Sequence, residues 1–101
     1  MPGGYVGILS IELHFPEAGS LKGKRKHVLS AKSQLQNRFG ASVAEVDLHD
    51  LWQRSRLTMA VVRREHSAAR QALDEAERYL SAQDYELVAC TRTVMCPEDD
   101  L

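Results

Sequence analysis

The sequence predicts an α+β domain of order β-α-β-β-α-β, a four-stranded antiparallel sheet with two helices on one face. Three observations predict it. Apolar residues alternate, or cluster with β-branched residues, in four stretches, which is how strands with a buried face read. Between the first and second stretches, and between the third and fourth, the spacing changes to the 3.6-residue period of a helix. The 101 residues suffice for one domain with one modest core.

Taken in order, residues 1–4 read as a flexible start. Over 5–15, Leu9, Ile11, Leu13 and Phe15 share one face, and Ser10, Glu12 and His14 share the other. Residues 16–19 form a turn, and Ser20 is a good N-cap. Leu21, Val28, Ala31, Leu35 and Phe39 then recur at helical spacing, with Lys24, Lys26, Ser33 and Gln36 expected towards solvent. Gly40 suits the C-cap, so the first helix is expected over 21–39. Residues 41–48 alternate again, with Ala44, Val46 and Leu48 against Val43, Glu45 and Asp47. A hairpin around His49 and Asp50 leads into a third strand at 57–62.

The second helix is expected over 65–81, with Ala69, Ala72, Leu73, Ala76 and Leu80 as its apolar stripe. Its alanines permit close approach to a sheet. A fourth strand over 85–94 and a frayed acidic tail at 97–101 complete the domain. Right-handed crossovers bring both helices to one face, the ferredoxin-like split βαβ arrangement. The second and fourth strands become the edges. Leu9, Ile11, Leu13, Val28, Leu35, Leu57, Met59, Val61, Leu73 and Leu80 are the expected core.

The net charge of -1 argues against a wholly basic nucleic-acid binder. The distribution is uneven, however. Up to Gly40 the basic residues Lys22, Lys24, Arg25, Lys26, Lys32 and Arg38 face only Glu12 and Glu17, while Glu98, Asp99 and Asp100 make the tail acidic. Cys90 and Cys96 form no CxxC pair, and on one strand they would stand roughly 20 Å apart, beyond disulfide reach. Free thiols and a cytoplasmic location are therefore expected. Residues 5–15 are too short to span a membrane and lack a basic flank, so neither a signal peptide nor a membrane segment is expected.

The run Ser20-Leu21-Lys22-Gly23-Lys24-Arg25-Lys26-His27 carries most of the functional signal. A helix N-terminus already bears about half a positive charge, so cations there oppose its dipole. Cations, the dipole and free backbone N–H groups together make an anion site. Lys22, Lys24, Arg25 and Lys26 are its expected members, with Arg38 and Arg54 as extensions. The alternative is a solvated cationic face. On either reading, Lys24→Glu with Arg25→Glu is expected to keep or raise stability.

Glu12, His14, Glu45, Asp47, His49 and Asp50 are residue types that ligate metals or move protons. Their spacing matches no closed metal motif. Arg54, Arg56 and Arg92 are placed to pair with such acids, and Glu12 and Glu45 are expected to share the open sheet face. No catalytic residue, metal or cofactor is expected. Trp52, beside Gln53, reads as a plug at the end of the core, whose loss would cost roughly 3–5 kcal/mol. The other reading of Trp52 and Gln53 is a contact site or base-stacking platform. The third strand, Arg56-Leu-Thr-Met-Ala-Val-Val62, lacks the aromatics of an RNA-recognition sheet.

Five ordered pieces carry a family resemblance: Gly7-Ile-Leu-Ser-Ile-Glu12-Leu, Ser20-Leu-Lys22-Gly-Lys24-Arg25-Lys, Gln36-Asn37-Arg38-Phe39, Ser42-Val-Ala-Glu45-Val-Asp and Asp50-Leu-Trp52-Gln53-Arg54. Together, over about residues 4–94, they resemble the YlxP-like family of small bacterial proteins of unknown function. The resemblance implies a ferredoxin-like fold. It also implies a setting in ribosome maturation or translation, because family genes lie beside those for an initiation factor and a ribosome-binding factor. Gly23 departs from the family, which usually has a charged or polar residue there, often Glu.

Three functions are compatible with these residues, the first as the leading expectation and the other two as alternatives to it. The first is a non-catalytic module docking on ribosomal RNA or a ribosomal complex through the basic helix start. The second is a homodimer formed through an edge strand or the open sheet face. The third is a small metal-dependent enzyme using Glu12, His14 and Glu45.

Overall fold

Alternation and helical period translate into elements almost residue for residue. The computed structural model describes residues 3–100. Its elements are β1 (Tyr5–His14), α1 (Leu21–Phe39), β2 (Ser42–Asp47), β3 (Arg54–Arg63), α2 (His66–Ser81), β4 (Glu86–Met95) and a single turn, α3 (Pro97–Asp100). The sheet runs β2-β3-β1-β4 with every neighbour antiparallel. Both long helices pack on one face, α1 over β2 and β3, α2 over β1 and β4. This is the ferredoxin-like arrangement, with β2 and β4 at the edges.

Local chemistry sets the limits of α1. The Ser20 hydroxyl accepts the Gly23 N–H at 3.0 Å, closing the first turn. At the other end Gly40 adopts φ 61°, the left-handed region where glycine has no side chain to clash, and its N–H returns to Gln36 O.

All ten expected core residues are buried. α2 presents Ala69, Ala72, Leu73, Ala76 and Leu80 to the sheet, as its stripe requires. Opposite it, Gly7 leaves room for the helix. A Cβ there would stand 3.1 Å from Val61 and 3.2 Å from Leu73.

Two expectations need correction at the ends. β3 starts three residues earlier than its apolar run, at Arg54. Its first inward position is Ser55, a polar residue that hides the strand's phase. The residues expected to fray as an acidic tail instead form α3 over Pro97–Asp100. Proline pre-sets the first helical φ, and acidic residues suit a helix N-terminus. Met1 and Pro2 of the expected flexible start, and Leu101 of the tail, lie outside the described residues. Among the described residues no helix is long and apolar enough to cross a membrane.

Candidate functional site

Lys22, Arg25 and Lys26 are exposed on the first turns of α1. Lys24 is not with them, contrary to the expectation that it faces solvent. It lies three residues after Leu21 and four before Val28, on the buried stripe, and only 1% of it is accessible. Its ammonium donates to the carbonyls of Leu48 (2.8 Å), His49 (3.1 Å) and Arg54 (3.2 Å). It also pairs with Glu45 Oε2 at 3.2 Å. A lysine so buried persists only because each N–H has an acceptor and its charge has a partner.

Glu45 therefore lies on the helix side of the sheet, not on the open face with Glu12. It accepts a 2.6 Å hydrogen bond from the buried Ser55 hydroxyl. Burial pushes its carboxyl up. The hydrogen bonds from Ser55 and Lys24 and the charges of Lys24 and His49 outweigh burial and hold it below its ordinary 4.5. Ser55 was missed as a site residue. Its signal is a lone polar residue in the inward phase Ser55, Leu57, Met59, Val61.

The carbonyls that Lys24 grips belong to the β2–β3 turn and its exit. Leu48 there has φ 63°, the left-handed region that a leucine rarely adopts, at a typical cost of about 1–3 kcal/mol. Its N–H bonds Asp47 Oδ1 at 2.8 Å. A second set of bonds ties this turn to the loop after β1. Phe15 N donates to Gln53 O at 2.7 Å, and the Gln53 amide donates to Pro16 O and Ala18 O. Gln53, expected as a contact residue, thus commits its amide to holding two loops together.

Between these anchors Leu51 and Trp52 stand exposed, Trp52 at 57%. The reading of Trp52 as a core plug is therefore wrong. The large residues Phe15, Leu13 and Leu35 are already fully buried in the core, and the indole stays outside.

The other expected cations separate from this end. Arg38 lies roughly 24 Å from Lys22 at 1.5 Å per helical residue. Its guanidinium sits 4.4 Å above the Tyr79 ring and donates to Gln34. Arg54 points to the open face, where it bonds Glu12 at 2.7 Å. Arg56 approaches the same carboxylate at 3.4 Å and reaches Ser10. His14 meets Glu86 at 3.1 Å across β1 and β4. Glu12 and Glu45 thus lie on opposite faces, each beside cations. His49 is exposed, 3.9 Å from Glu45, and Asp50 is exposed.

Arg92, at the β4 edge, pairs with Asp74 and Glu77 of α2. The Cys90 thiol is pushed up to about 11, first by burial and then by its hydrogen bond to Glu77. Such a thiol is a poor nucleophile. Both edge strands carry an irregularity in pairing, at Glu45/Asp47 for β2 and opposite Glu12/Leu13 for β4. Bulges of this kind interrupt edge-to-edge pairing.

The fold and this end define a class: a ferredoxin-like βαββαβ domain with a cationic helix start and a pinned loop carrying an exposed tryptophan. The chain belongs to the family described as "Protein of unknown function (DUF503)", whose sequence profile matches residues 6–92. It is 35% identical over 57 residues to the uncharacterized protein YlxP of Bacillus subtilis (strain 168), a match covering 56% of this chain and 62% of that one. The matched stretch is thus less than two thirds of that relative's length. Among solved structures, the de novo designed protein Ferredog-Diesel aligns over 94% of this chain and 87% of its own, with 19% identity and a TM-score of 0.42. A second de novo designed protein with a ferredoxin fold aligns over 91% and 84%, with 12% identity and a TM-score of 0.44.

Proposed function

We propose that the protein is a non-catalytic module that binds ribosomal RNA within a ribosomal complex, using the end where α1 begins. Lys22, Arg25 and Lys26 meet phosphates, and Trp52 stacks on an unpaired base. The observation that carries this reading is the exposed indole on a loop that buried Lys24 holds against the cationic turns. Base stacking supplies affinity without sequence preference, and clustered cations supply the salt-dependent remainder. The strained Leu48 turn is the kind of backbone that functional loops retain.

The Gly23 N–H is already taken by Ser20, so the contribution of α1 rests on side chains more than on free backbone donors. The central strands offer no aromatic platform on the open face, where Ser10, Glu12, Arg56 and Thr58 lie. The separation of Glu12 from Glu45 supports binding over catalysis. A ribosomal partner implies the cytoplasm, in keeping with the translational setting that the YlxP-like resemblance suggests.

Trp52→Ala tests this reading. Its unfolding free energy is expected to change no more than for an ordinary surface substitution, about ±0.5 kcal/mol. Co-sedimentation with ribosomal particles is expected to weaken by about 5- to 150-fold, the equivalent of one stacked base. Unchanged co-sedimentation would remove the indole from the interface.

A further inference from the structure

A cleft of about 160 Å³ opens between the loop after β1, the second turn of α1 and the loop before β4. Three rings and several polar side chains line it. Phe15, only 1% exposed, stacks on His27 with ring centroids 5.4 Å apart and planes at 17°. Tyr85 meets Phe15 edge-on at 5.3 Å. Glu17 lines the cleft from one loop, Asp84 from the other, and Ser30 from the helix.

The two carboxylates stand apart from the acids that form ion pairs. Glu12, Glu45, Asp74, Glu77 and Glu86 each face a cationic or imidazole side chain. Among the described residues Glu17 and Asp84 have no such partner. They flank an aromatic cavity instead.

We propose that this cleft receives an arginine side chain of a protein partner, with its guanidinium against the His27 and Tyr85 rings, which Phe15 backs from the core, and its N–H groups on Glu17 and Asp84. Each part of the chemistry selects that group. A guanidinium is planar and weakly hydrated, and it lies readily on aromatic faces. Its fork of donors matches carboxylates. An ammonium is compact and strongly hydrated, which suits a flat aromatic wall less. An anion would meet two negative charges. The space fits as well, since a cavity of about 150 Å³ holds a benzene-sized group. Burial pushes the Tyr85 hydroxyl up to about 12, so the wall remains a neutral phenol at any physiological pH.

The probe is N-acetyl-arginine N-methylamide, followed through the ring proton shifts of Phe15, His27 and Tyr85. The neutral control is the citrulline analogue, which keeps the shape and loses the charge. The arginine amide is expected to saturate these shifts with a Kd on the order of 1 mM, and the citrulline amide to bind about tenfold more weakly or less. Glu17 and Asp84 are exposed, so Glu17→Gln with Asp84→Asn keeps the fold, and it should weaken arginine binding about tenfold. Equal binding of the two amides, native affinity in the double variant, or rings that do not shift would each overturn the proposal.

Discussion

Replacing Lys24 by methionine is expected to destabilise the fold by about 3–5 kcal/mol, measured by urea unfolding. Methionine keeps most of the length and apolar stem, so packing is largely preserved and the loss is electrostatic. Glu45 is left part-buried without its cation. The carbonyls of Leu48, His49 and Arg54 lose a shared donor. The left-handed Leu48 turn loses the bond that helps hold it. The charge-reversed pair Lys24→Glu with Arg25→Glu should now destabilise, opposite in sign to the expectation from a solvated cationic helix start. It would set a second carboxylate beside Glu45. Stability equal to the native protein in Lys24→Met would contradict this account of the ammonium.

The same variant has a pH signature. The Glu45 carboxyl is held below its ordinary value of 4.5 in the folded chain. Its contribution to stability is therefore complete above that value and is lost as pH falls through the folded-state value. Without Lys24, burial still pushes the carboxyl up while part of the opposition is gone. The acid-side loss of stability in Lys24→Met should therefore be shallower than in the native chain.

The second large effect concerns binding. Lys22→Glu, Arg25→Glu and Lys26→Glu in one chain should strip three phosphate contacts and add repulsion. Each contact contributes about 0.7–0.9 to the slope of log affinity against log salt. The slope for ribosomal particles should therefore fall by about 2–3. All three positions are exposed, so stability should hold or rise, by about 0.3–1 kcal/mol for an acid well placed near the helix N-terminus. A gain in stability with undiminished binding would mean that these cations are only a solvated face.

Legibility in the sequence followed how local the physics is. Ser20 and Gly40 bracket α1 because capping depends on a few adjacent atoms. Leu9, Ile11 and Leu13 read as core because a strand's period decides burial by itself. Lys24 was legible in position but not in meaning. Its spacing from Leu21 and Val28 put it on the buried stripe, yet its charge argued for water. The acceptors that reconcile the two lie in β2 and the turn after it, far along the chain.

The inward face of β2 was hidden for a related reason. Ala44 and Val46 look like the apolar face, but Glu45 turns inward to meet Lys24 and Ser55. Trp52 was misread because size alone does not bury a residue when the core is already filled. Arg38 over Tyr79 and Arg54 on Glu12 depend on tertiary neighbours that no local pattern records.

Trp52 is the only tryptophan of the chain, which makes it its own reporter. The most direct test is its fluorescence during titration with single-stranded segments of ribosomal RNA. The account predicts saturable quenching as the indole stacks on a base. The quenching should weaken as salt rises and should vanish in the Lys22→Glu, Arg25→Glu, Lys26→Glu variant. RNA that binds the protein while Trp52 emission stays unchanged would contradict it.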